Sequence, residues 1–68
     1  MTYQEALVAL DRGETIAWTD TNGDRLLWRK RDGVVEARWD GYGSWGVDDA
    51  GFHPLRWDGQ SFALVERP

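Results

Sequence analysis

Leu26-Leu27-Trp28-Arg29-Lys30-Arg31-Asp32-Gly33-Val34-Val35-Glu36-Ala37-Arg38-Trp39 is the stretch on which the reading of this chain turns. Asp32-Gly33 is a strong signal for a two-residue hairpin, because a type I′ turn needs φ > 0 at both central positions. A turn there sets the register. Trp28 faces Ala37, Leu26 faces Trp39, Lys30 faces Val35 and Arg29 faces Glu36. One face then carries Leu26, Trp28, Val35, Ala37 and Trp39. The other carries Leu27, Arg29, Arg31, Val34, Glu36 and Arg38. A slip of one residue would mix the two sets, so turn chemistry and apolar pattern agree.

Upstream, Thr2-Tyr3-Gln4-Glu5 has the spacing of a capping box. Tyr3, Ala6, Leu7 and Leu10 follow at i, i+3, i+4 and i+7, one apolar helical face. Gly13 suits the residue after the helix end. The pattern predicts a helix over residues 3–12. Glu14 to Thr19 alternates with Ile16 and Trp18 on one side, and Thr21-Asn22-Gly23-Asp24 is a turn. A two-residue Asn-Gly loop would pair Trp18 with Leu27, against the pattern. A three-residue loop with left-handed Gly23 pairs Trp18 with Leu26 and Ile16 with Trp28, placing four large apolar residues together.

Downstream, residues 40–51 hold four glycines, which weaken any strand. Trp45 and Val47 fit a short strand between loops. Pro54 biases His53 to extended geometry. Leu55 to Val65 reads as a second hairpin turning at Asp58-Gly59, with Leu55 facing Phe62, and with Trp57 and Leu64 sharing their side. The expectation is a single α+β domain over residues 1–68: one short N-terminal helix, then an antiparallel β-meander of 4–6 strands.

Sixty-eight residues with net charge −4, a sequence pI of about 4.7, five Trp and no Cys bound the function classes. Without cysteine there is no disulfide and no Cys/His set for structural zinc. A chain this small leaves apolar surface to cover, so self-association is expected, most simply as a two-fold dimer. The acidic balance argues against direct nucleic-acid binding. No apolar run spans a membrane, and no n-region and h-region mark a signal peptide. These features together point to the cytoplasm.

Catalytic signatures are absent from the pattern. The single His53 sits beside Phe and Pro. No Ser or Cys nucleophile has a base in a recognisable arrangement. Asp20 to Asp24 resembles a calcium loop only faintly: its glycine is out of place, and Arg31 stands where the twelfth-position Glu belongs. No phosphate-binding glycine loop precedes a helix. No metal or cofactor is expected, and an enzyme is the least supported class. Two features suit binding. Tyr42 and Trp45 lie among glycines in the loop to Asp48 and Asp49, where aromatics stack on a flat ligand or a protein partner, or else Trp45 plugs the small core. Arg29, Arg31 and Arg38 form a guanidinium row on the polar face, suited to phosphate or carboxylate, or else a solvated face tempered by Glu36.

Tyr3-Gln4-Glu5-Ala6-Leu7-Val8-Ala9-Leu10-Asp11-Arg12-Gly13-Glu14-Thr15-Ile16 resembles the opening of small phage-encoded proteins, most of all the Thoeris anti-defence sponge family. The likeness covers residues 3–16, which are helix and strand positions, so no binding residue is carried over. It implies a short helix before an antiparallel sheet, and a counter-defence protein that sequesters a nucleotide signal as an oligomer. The acidic charge supports an alternative, an anti-CRISPR-like inhibitor that blocks a basic surface of a host defence protein; a small protein-interaction module is a further class. In the first case Arg29, Arg31 and Arg38 neutralise phosphates while Tyr42 or Trp45 stacks. In the second, Asp48 and Asp49 meet Lys and Arg.

Overall fold

The computed structural model describes residues 1–49 and 51–65. The elements are α1 (Tyr3–Asp11), β1 (Thr15–Thr19), β2 (Arg25–Arg31), β3 (Val34–Trp39), β4 (Gly46–Val47), α2 (Pro54–Trp57) and β5 (Ala63–Val65). They form an α+β domain in which the N-terminal helix leads into a five-stranded antiparallel sheet of order β4-β3-β2-β1-β5. No helix among the described residues is long and apolar enough to cross a membrane.

The capping box forms as expected. The Glu5 N–H donates to Thr2 Oγ1 at 3.2 Å, and the Thr2 N–H donates to Glu5 Oε1 at 2.9 Å. Those bonds also hold the Glu5 carboxyl below its ordinary value. Both hairpins have the expected register: Ile16 pairs with Trp28 and Trp18 with Leu26, then Trp28 with Ala37 and Leu26 with Trp39. The central turn has φ of +53° at Asp32 and +79° at Gly33, the two positive angles of a type I′ turn.

The last quarter of the chain departs from expectation. Residues 54–57 form one helical turn, not the first strand of a hairpin. Pro54 occupies an early helical position, where its fixed φ fits and its missing N–H costs nothing. The His53 Nδ1 accepts from the Leu55 N–H at 3.2 Å as a cap. Leu55 consequently points to solvent, 92% exposed, instead of facing Phe62. After this turn the chain returns to the free edge of β1, where Ala17 pairs with Ala63 and Thr15 with Val65. The Phe62 N–H donates to the Met1 carbonyl at 2.9 Å, which ties that return to the start of α1.

The core lies between α1, α2 and one sheet face. Trp28 is its centre, 1% exposed, with ring centroids of Trp57 at 4.7 Å, Phe52 at 4.8 Å and Phe62 at 6.0 Å. Tyr3, Ala6, Ala9, Leu10 and Ile16 close it from the helix side and from β1. Trp39, on the same apolar face of the hairpin as the buried Trp28, is 39% exposed. It pairs with Leu26, at the end of β2 opposite Lys30, whose Nζ meets Asp11 of α1. The aromatic cover there comes from Phe52 and Trp57 of the later segment, leaving Trp39 at the margin.

Two outcomes follow from this packing. Trp28→Ala should lose about 3–5 kcal/mol in urea unfolding and Trp39→Ala less than half of that. Equal losses would place the two indoles in one core. Tyr3, buried and donating its hydroxyl to the Phe52 carbonyl, has its pKa raised chiefly by burial and secondarily by Asp58. A raised folded pKa means the stabilisation is complete below the unfolded tyrosine range and fades as pH rises through the folded value. Tyr3→Phe should therefore be less stable at neutral pH by about 1–2 kcal/mol, with a shallower alkaline loss than the parent.

Candidate binding surfaces

The turn after β3 begins where Trp39 ends. The Tyr42 N–H donates to the Trp39 carbonyl at 3.0 Å, and Gly41 takes φ of +86°, a region that a side chain enters with strain. This turn throws Tyr42 outward, 67% exposed. The chain then pairs briefly with β3, and the Asp48 N–H continues the ladder to the Val35 carbonyl at 3.0 Å. That bond sets Asp48 at the margin of the core, where its Oδ2 accepts from Trp28 Nε1 at 3.2 Å.

A cleft opens at this margin. Its volume is about 310 Å³, at the small end of the range for ligand pockets, and Trp28, Trp39, Trp57, Asp48 and Arg56 are among the residues that line it. Arg56 lies over the Trp57 ring, its guanidinium carbon 5.2 Å from the centroid. Asp48 is half-buried and has no cation within ion-pair distance among the described residues. Leu55, next to Arg56 in the chain, and Tyr42, just after β3, are exposed apolar side chains outside the cleft lining.

A second cluster lies on the opposite sheet face. Trp45 sits with the guanidinium carbons of Arg29 at 4.3 Å and Arg38 at 5.3 Å from its ring centroid. Arg29 Nε also donates to Glu36 Oε1 at 2.7 Å. The Arg38 Nε is buried and has no hydrogen-bond partner. The register puts Leu27 between Ala17 and Arg38, and Leu27 and Ala17 are each 3% exposed. The long arginine stems beside Leu27, held down by Trp45, cover this row. Trp45 is thus neither a free stacking platform nor a plug of the main core; it clasps the outer face.

Of the residues picked from sequence, Arg29, Arg38 and Trp45 converge, and Asp48 reaches the cleft. Tyr42, Asp49 and Arg31 are exposed, and Arg31 lines a pocket with Arg29, Lys30, Gly13 and Thr15 but makes no contact with Trp45 of the kind seen for Arg29 and Arg38. Arg31, beside the hairpin turn, has no ion pair among the described residues. The sequence pattern did not mark Trp39 as exposed, or Trp57 and Arg56 as lining a cleft. The signal for the last two was His53-Pro54, a cap followed by a helix-starting proline. Arg25 is committed elsewhere. Its hydrogen bonds hold the Asp40 carboxyl below the ordinary range, with Nη2 at 2.7 Å.

No family model, curated protein or solved structure matches the chain. Among the described residues, no group of three His, Cys, Asp or Glu is placed to hold a metal ion.

The Trp45 clasp makes a quantitative prediction. A double-mutant cycle on Arg29 and Trp45 should give a coupling of about 0.5–1 kcal/mol, the scale of a partly exposed cation–π pair. Additive losses would show that the two side chains do not interact.

Proposed function

We propose that this protein is a non-enzymatic, stoichiometric binder that covers a basic surface of a partner protein. The observation that carries the reading is the cleft lined by Trp28, Trp39, Trp57 and Asp48, whose half-buried carboxylate meets no cation within ion-pair distance among the described residues. Interfaces draw much of their affinity from a few aromatic anchors near the centre, with exposed charges steering the encounter. Trp39, Tyr42 and Leu55 supply the anchors, and Asp48, Asp49 and a net charge of −4 supply the complementarity. The setting comes from the resemblance of residues 3–16 to the Thoeris anti-defence sponge family: a phage-type antagonist of host immunity, acting in the host cell on a defence protein. Apolar residues left at the surface, Val47 and Leu64 among them, support self-association as a dimer.

A second reading has its own observation. Trp45 with Arg29 and Arg38 brings an aromatic ring and two cations together, the parts that hold a nucleotide. On this reading the protein sequesters a nucleotide signal, and the base must compete with the guanidinium groups for the indole.

Two measurements separate these readings. A host protein retained on the immobilised chain should form a one-to-one complex that weakens with salt and is released by the double change Asp48→Lys/Asp49→Lys. Nucleotides, cyclic and linear, should give no calorimetric heat. Micromolar nucleotide binding that disappears in Arg29→Ala or Trp45→Ala would transfer the function to the outer face. A clean monomer in sedimentation at high micromolar concentration would remove the dimer.

A further inference from the structure

Resting on the protein-blocking reading, we infer that the cleft between Trp39 and Trp57 is a socket for one arginine side chain of the partner. Three features fit that occupant. The Asp48 carboxylate lines the cleft, holds the Trp28 indole N–H through Oδ2 at 3.2 Å, and meets no cation among the described residues. A carboxylate accepts several hydrogen bonds, so this single donor leaves capacity for a guanidinium. Three indoles line it, and of these Trp39, 39% exposed, presents the open ring on which a cation can stack, Trp28 and Trp57 being buried. The protein already makes one such contact here, with the Arg56 guanidinium carbon 5.2 Å from the Trp57 centroid.

Arg56 also supplies the sign test. It shares the cleft with Asp48 and repels an incoming cation, whereas it would attract an anion. Removing each charge in turn must therefore move affinity in opposite directions, and the sign identifies the ligand. Asparagine at position 48 keeps an acceptor for the Trp28 N–H while removing the charge, so the core hydrogen bond can survive the substitution.

The test is a two-dimensional NMR titration of the intact chain with three blocked pentapeptides, alike except for a central Arg, citrulline or Glu. The Arg peptide should shift the indole N–H signals of Trp28, Trp39 and Trp57 in a saturable way, and citrulline and Glu should not. Asp48→Asn, checked for an unchanged melting temperature, should weaken binding about tenfold, the scale of a lost charge-assisted hydrogen bond. Arg56→Gln should strengthen it about threefold. If Asp48→Asn melts early, Arg56→Gln and the citrulline control decide the question alone. Equal shifts from citrulline, stronger binding of the Glu peptide, or no shift at the three indoles would each overturn the socket. Arg-peptide binding confined to exposed acids outside the cleft would overturn the socket while leaving the basic-surface reading intact. That reading fails separately, if the partner complex is insensitive to Asp48→Lys/Asp49→Lys.

Discussion

The structure depends on the burial of one indole. Trp28 sits in β2, the middle strand of the sheet. The helix covers its neighbours on one side. Phe52, Trp57 and Phe62 come from a segment with little regular structure and converge on its ring. A buried indole also needs an acceptor for its N–H, and Asp48 provides one. The acceptor must be at the right distance along the loop, so burying Trp28 constrains where β4 ends and where the cleft begins. A requirement of packing thereby puts a carboxylate among aromatic residues at the surface.

The two sheet faces solve different problems. The inner face has enough apolar residues to form a core. On the outer face, among the described residues, Ala17 and Leu27 are the well-buried ones, and arginines flank Leu27. Covering that row with charged side chains requires that the guanidinium groups find company. Glu36 serves Arg29 by an ion pair, and Trp45 serves both Arg29 and Arg38 by its ring. An aromatic residue in a glycine-rich loop is therefore not by itself a recognition element. Here Trp45 reads first as a means of holding down a strand-poor loop. Trp39 is the more available indole, although it lies inside a regular strand.

Most of the fold was legible because several local signals agreed. Asp32-Gly33, the three-residue loop ending in left-handed Gly23, and the capping box each specify backbone geometry directly, and each occurs. The final segment was not legible, for a definite reason. Leu55 to Leu64 alternates well enough to pass for a hairpin, and Asp58-Gly59 is good turn chemistry. His53-Pro54, however, starts a helical turn, which rotates Leu55 out and Trp57 in. The pairing of β5 with β1 then depends on a long-range edge contact that no local pattern encodes. The site shows the same division. The Arg29–Glu36 pairing followed from register, whereas the cleft, made by side chains from β2, β3, the β4 loop and α2, requires the tertiary fold.

The central claim is that Trp28, tied to Asp48, is the protected heart of the domain. Hydrogen exchange of the five indole N–H groups, followed by NMR on the labelled protein, tests it directly. The Trp28 N–H is expected to exchange slowest, with a protection free energy matching that of global unfolding, while the Trp39 N–H exchanges far faster. Trp28 exchanging as readily as Trp39 would contradict it.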